Sequence, residues 1–186
     1  MLKPLARQTP LESPEEFRAA LGTWFGKNGK DYPWRRTRDP YEVLVSEVML
    51  QQTQIATVLG RGFYVRFLEA FPDVATLAAA EDDVLLKAWE GLGYYRRARM
   101  LRESAKAVLS GHAGVFPEEY DAVLALPGVG RYTAGAVLSF AFDKAAPIVD
   151  GNVARVLSRL FDRADPIDAG PMQKWLWETA EFLLDR

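Results

Sequence analysis

The chain has 186 residues, 49% hydrophobic and 12% aromatic, enough to bury a sizeable core in one domain or two closely packed lobes. No apolar run reaches the roughly 18 residues that span a bilayer, the N-terminus lacks a signal-peptide pattern, and the absence of cysteine excludes disulfides, thiol nucleophiles, zinc ribbons and cysteine-ligated clusters within these residues. The expected compartment is the cytoplasm. A net charge of −2 and a pI near 5.6 argue against a general cationic surface.

The predicted elements are helices nearly throughout. "SPEEFRAALGTWFGKN" has Ser13 as a cap with Pro14 at the first helical position, and "DPYEVLVSEVMLQQT" opens the same way on Asp39 and Pro40. Helical spacing continues in "VLGRGFYVRFLEAF", "VATLAAA", "EDDVLLKAWEGL", "YRRARMLRESAKAVLSG" and "EEYDAVLAL", and then in "RYTAGAVLSFAF", "NVARVLSRLF" and "AGPMQKWLWETAEFLLDR". "APIVD" is the only extended candidate. The class is all-α. Basic residues gather at Lys27, Lys30, Arg35, Arg36 and Arg38, and again at Arg96, Arg97, Arg99, Arg102 and Lys106. Such runs usually make a solvated face, so they permit a polyanionic ligand without specifying one.

Three stretches can carry chemistry. In "SEVMLQQTQ", Glu47 has Val43, Leu44, Leu50 and Gln51 as same-face helical neighbours, a largely apolar setting, whereas Glu42 has Arg38, Asp39, Val45 and Ser46. Desolvation raises the pKa of such a carboxyl; moving it from about 4.3 to near 7 takes roughly 3 to 4 kcal/mol of environment. The alternative is a Glu paired with an Arg elsewhere. In "LPGVGRYTAGAVL", Pro127 ends one helix, Gly128 and Gly130 allow positive φ, and a second helix starts near Arg131. This hairpin is either an ordinary corner or a phosphate site built from first-turn amides and the helix dipole. In "PIVDGNVARVLSRLF", Asp150 stands at the N-cap of a helix with an apolar stripe of Val153, Val156, Leu157, Leu160 and Phe161. Capping alone explains it, yet a capped carboxylate is also held ionised and oriented, as stabilisation of a cation requires. Two carboxyls with divergent environments suggest an acid and an anion, the logic of glycoside cleavage. Together with a phosphate-holding hairpin, they suggest cleavage of an N-glycosidic bond in DNA.

"SEVMLQQTQ", "WEGLGYYRRAR", "LPGVGRYTAGA" and "PIVDGNVARVL" closely resemble the adenine DNA glycosylases of the MutY family, within the helix-hairpin-helix glycosylases related to endonuclease III. The resemblance runs from about Trp34 to Leu160, with the four motifs in family order. It implies an enzyme that flips adenine out of double-stranded DNA where it stands opposite 8-oxoguanine or guanine, and hydrolyses its bond to deoxyribose. By the family pattern Glu47 protonates adenine at N7 and helps activate water, Asp150 stabilises the cationic sugar, and Asn152 and Tyr132 hydrogen-bond around that centre. Leu50, Gln51 and Gln52, with Thr53 beside them, fill or flank the gap. Tyr94 wedges beside the oxidised guanine, and Arg35 lines the adenine pocket. Gly128, Val129, Gly130 and Arg131 form the phosphate grip. Strand-cutting relatives carry a Lys where this chain has Tyr132, so base removal without efficient strand cleavage is expected.

The resemblance further implies a six-helix barrel over residues 33–146 and a second helical lobe from 1–32 and 147–186. That lobe corresponds to a truncated iron–sulfur domain. Family members continue into a four-cysteine loop holding a [4Fe–4S] cluster and a domain that reads 8-oxoguanine. This chain has no Cys and ends at Arg186, so no cofactor is expected within it. A nucleoid-associated monomer without membrane contact is expected. The alternatives are a thymine or uracil mismatch glycosylase of the same superfamily and a non-catalytic helix-hairpin-helix fragment that only binds DNA. His112, in "SGHAGVFP", reads as a surface loop residue.

Overall fold

A computed structural model of the chain describes residues 13–184. Among them every regular element is helical, and "APIVD" runs as irregular chain without a strand. The contacts divide into two units: Pro33–Lys144, and the described parts of Met1–Tyr32 and Ala145–Arg186.

The larger unit is built around α2 (Pro40–Leu50). Asp39 Oδ1 accepts from Tyr41 N at 2.8 Å and Pro40 sets the first turn, so the start of the helix is fixed locally. Every residue from Val43 to Met49 is buried, which makes α2 a central helix covered on all sides. It packs against α9 (Arg131–Phe142), α7 (Arg96–His112) and α4 (Phe63–Ala70). In α9 the buried run Thr133–Leu138 includes Ala134, Gly135 and Ala136, whose small side chains suit close helix approach. α7 presents Ala98, Leu101, Ser104, Ala105 and Val108 to the interior and packs on α5 (Val74–Ala78). Phe67 meets Phe71 and the fully buried Trp89 at centroid distances of 5.0 and 5.5 Å, and Trp34 meets Tyr64 edge-on at 5.5 Å.

Several expected helices are shorter or divided: "EDDVLLKAWEGL" is helical only over Asp82–Ala88 and "EEYDAVLAL" only over Tyr120–Leu124. α2 stops at Leu50, and Gln51–Thr53 form a turn with Gln52 at φ 54°. The segment 58–71 splits because Gly62, at φ 63°, separates α3 (Ile55–Gly60) from α4. A 3-10 turn at Pro33–Arg35, which the spacing does not announce, buries Trp34. His112 is the half-buried last residue of α7 rather than a loop residue.

In the other unit, α10 (Gly151–Leu160) packs on α11 (Gly170–Leu183). Ala154, Leu157, Met172 and Leu176 form its centre, with Val149, Val153, Phe161 and Trp175 around it. Val156 lies outside that cluster and is 57% exposed, so the apolar stripe read from sequence is wider than the buried face. α1 (Pro14–Asn28) buries no residue fully; Arg18 Nη1 donates to Leu184 O at 3.0 Å.

Candidate nucleic-acid interface and catalytic residues

Glu47 lies in the third turn of α2 and is only 7% exposed, among Val43, Leu44, Val48 and Met49. A carboxyl at this depth is the feature the sequence pattern led one to expect. Asp150 caps α10: Oδ1 accepts from Val153 N at 2.7 Å and Oδ2 from Asn152 Nδ2 at 3.0 Å. Both carboxylate oxygens are therefore oriented by groups within three residues, so the geometry of this carboxylate is set locally.

The hairpin joins α8 (Tyr120–Leu124) to α9. Val129 N donates to Leu126 O at 3.0 Å, Gly128 adopts φ 77°, and Gly130 is the N-cap of α9. A glycine cap brings no side-chain oxygen to the first-turn amides. Gly128 cannot be replaced without cost: a Cβ there would stand 2.7 Å from Met100 Cβ. Arg131 is exposed and Tyr132 half-buried at the start of α9.

A groove of about 910 Å³ runs along this unit. Gln51 and Gln52 line it from the turn after α2, Tyr94 to Arg97 and Met100 from the start of α7, and Gly128 from the hairpin. Gln52 and Tyr94 are both non-glycine residues in the left-handed region, at φ 54° and 48°, and Tyr94 is 66% exposed. Backbone held in that region costs roughly 1–3 kcal/mol and persists only where its surroundings impose it. Leu50 and Thr53 are half-buried on either side of the two glutamines, and Arg35 is exposed in the 3-10 turn.

The surroundings that impose those turns centre on Arg97, which the sequence shows only as one of a basic run. Its Nη1 donates to Val48 O and Met49 O, both at 3.0 Å, and also to Gln51 O; its Nη2 donates to Leu92 O at 3.0 Å, Gly93 O at 3.2 Å and Thr53 Oγ1 at 3.2 Å. The guanidinium lies against the rings of Trp89 and Tyr94, 5.5 and 5.6 Å from their centroids. A cation here satisfies C-terminal carbonyls of α2 and complements its dipole. Burial lowers the Arg97 pKa, an effect that Tyr94 opposes. The rest of the second basic run is partly neutralised: Arg99 and Arg102 each contact Asp82 at 2.9 Å, and Lys106 contacts Glu103 at 2.9 Å.

Residues 45–181 match the model of the HhH-GPD superfamily base excision DNA repair proteins. The chain belongs to this superfamily. It is 40% identical to the adenine DNA glycosylase of Buchnera aphidicola subsp. Baizongia pistaciae over 90% of its own length and 47% of that protein's. Against the adenine DNA glycosylase of Homo sapiens the identity is 44%, over 91% of this chain and 32% of the relative. The chain thus spans half or less of the length of these curated relatives. Among solved structures, a thermostable thymine-DNA glycosylase is 32% identical with a TM-score of 0.80, over 91% of this chain and 77% of that one. An endonuclease III trapped as a covalent intermediate with DNA is 25% identical with a TM-score of 0.71, over 93% and 84%.

A [4Fe–4S] cluster of the endonuclease III kind requires cysteine thiolates. The sequence has none, and among the described residues no three of His, Cys, Asp and Glu are grouped to hold a metal ion. The residues present do not fit such a cluster. Among the same residues no helix is long and apolar enough to cross a membrane.

Proposed function

We propose that the chain excises adenine from duplex DNA in which it faces 8-oxoguanine or guanine, by monofunctional hydrolysis of the N-glycosidic bond. The observation that carries this reading is Glu47, a carboxyl 7% exposed on a helix covered on every side, in a chain of the HhH-GPD superfamily. A site that only binds DNA gains nothing from a buried acid; a site that must protonate a leaving base does.

In this mechanism the groove-lining turns occupy the space vacated by the flipped adenine, with Gln51 and Gln52 on one side and Tyr94 on the other. The hairpin amides from Gly128 to Arg131 hold a backbone phosphate, so a protein of net charge −2 needs few cations for its grip. Glu47 gives its proton to adenine N7. The C1′–N9 bond then breaks with its electron pair leaving on the base, and Asp150, oriented by Val153 N and Asn152, stabilises the cationic sugar. Water deprotonated by the Glu47 carboxylate adds to C1′ and leaves an abasic site. Tyr132 stands where strand-cutting relatives carry Lys. A phenol cannot form a Schiff base, so the strand stays intact.

Single-turnover release of adenine from a duplex with A opposite 8-oxoguanine tests the reading, with alkali added to reveal abasic sites. The parent chain should yield strand breaks only after alkali, and Glu47→Gln should be slower by at least about 10²-fold, the usual worth of a positioned general acid. A folded Glu47→Gln variant with parental rate would sink it. The likeness to a thymine-DNA glycosylase, at a TM-score of 0.80, favours a second reading in which the excised base is thymine. A panel of A·8-oxoguanine, A·G, T·G and U·G duplexes separates the two.

A further inference from the structure

The groove is lined by three separate loops, and each is tied to one stripe of α7. Arg97 donates to the turn after α2 at Val48 O, Met49 O and Gln51 O, and to the turn before α7 at Leu92 O and Gly93 O. Met100, one turn further along, packs where a Cβ on Gly128 would have to go. Ser104, one more turn along and buried, donates from Oγ to Pro127 O at 2.5 Å. The spacing i, i+3, i+7 puts the three side chains on one face of the helix, over about 10 Å of its length.

We propose that Arg97, Met100 and Ser104 are positioning residues that fix the distance between the turns entering the DNA and the hairpin gripping its phosphate. None of them needs to touch the reacting atoms. The two turns carry backbone at φ 54° and 48° in Gln52 and Tyr94, and the hairpin carries φ 77° in Gly128. The turns at Gln52 and Tyr94 relax toward ordinary conformations unless an outside group holds them, whereas Gly128 adopts its φ without strain and the stripe fixes only where the hairpin sits. A rigid helix holding all three gives the flipping step its geometry before DNA arrives, so that a bound duplex meets turns already placed to enter it. The stripe also divides the labour: Ser104 acts on the phosphate grip, Arg97 on the turns beside the flipped base.

This inference rests on the proposed function, and the test keeps the two apart. Duplex affinity and the fluorescence rise of 2-aminopurine placed at the target position, which reports unstacking, are measured for the parent, Ser104→Ala, Arg97→Lys and Val108→Ala, each with its thermal midpoint. Val108 is buried on the same helix away from the groove and supplies a purely structural loss. Ser104→Ala should weaken duplex binding about fivefold, the worth of one hydrogen bond, while keeping the fluorescence rise at saturating protein. Arg97→Lys keeps the charge but not the six-acceptor reach, and should lose most of that rise while retaining near-parental affinity. Val108→Ala should lose stability and neither DNA readout. If Arg97→Lys does not fold, the contrast between Ser104→Ala and Val108→Ala decides. Variants that lose affinity and fluorescence only in proportion to their thermal midpoints, or that lose neither, overturn the inference while the parent's activity stands. A folded parent that neither binds the duplex nor raises the fluorescence overturns the proposed function and this inference with it.

Discussion

At the scale of single residues, Asp150 is a position where stability and catalysis can be separated. Asn caps a helix about as well as Asp, because either side-chain oxygen can accept from the amide three residues on, as Asp150 does from Val153. Asp150→Asn should therefore leave thermal stability within about 0.5 kcal/mol of the parent and still abolish adenine release. Asp150→Ala should lose both, with a stability cost of about 1 kcal/mol. Denaturant titration beside single-turnover kinetics reads the two effects independently; an active Asn variant would reduce Asp150 to a cap. Glu47 is simpler because its burial and its proposed chemistry have one origin, a helix with no solvent face at that turn.

Among the elements, the hairpin's proposed phosphate grip would depend on backbone geometry rather than on side-chain chemistry. Gly128 combines φ 77° with a backbone so near Met100 that a Cβ would stand only 2.7 Å from Met100 Cβ. Gly128→Ala should cost roughly 1–3 kcal/mol in a thermal or denaturant melt, and should weaken duplex binding as well because the hairpin must shift away from α7. Unchanged affinity in the destabilised variant would mean that the grip lies elsewhere. The element boundaries carry a related lesson. The apolar run continues through Leu50 into "QQT", yet α2 ends at Leu50 because Arg97 engages its terminal carbonyls and the chain turns away. An arginine 47 residues beyond the helix end cannot be read from local spacing.

For the whole molecule, the pH dependence of stability follows from groups on both sides of neutrality. Asp73 is held below the usual carboxylate range first by the Thr76 backbone N–H and then by its hydroxyl, and Asp82 by the Arg99 guanidinium. A folded pKa below the unfolded one adds stability at neutral pH that is lost as the pH falls through about 4, and both groups are exposed, so this limb should be shallow. Burial pushes the Tyr41 and Tyr64 phenols well above their ordinary value. Their contribution is complete below the unfolded pKa of about 10 and is lost as the pH rises beyond it. Thermal midpoints should form a plateau around neutrality with the steeper fall on the alkaline side. Tyr41→Phe, which gives up the 2.6 Å bond to Phe71 O, should lower the plateau yet flatten that fall. An equally steep alkaline limb in the variant would count against the assignment.

The helical class, most helix starts and the residues of the catalytic proposal were legible because each depends on near neighbours. Ser13, Asp39 and Asp150 cap within three residues of themselves, the hairpin needs only Pro127, Gly128 and Gly130, and an acid within "VLVSEVML" is conspicuous at helical spacing. The groove, the left-handed backbone of Gln52 and Tyr94, and the stripe of Arg97, Met100 and Ser104 were decided by tertiary structure alone. They arise from carbonyls and side chains that meet across 20 to 50 residues of sequence, and a half-buried guanidinium shared among six acceptors leaves no periodic trace in the chain that encodes it.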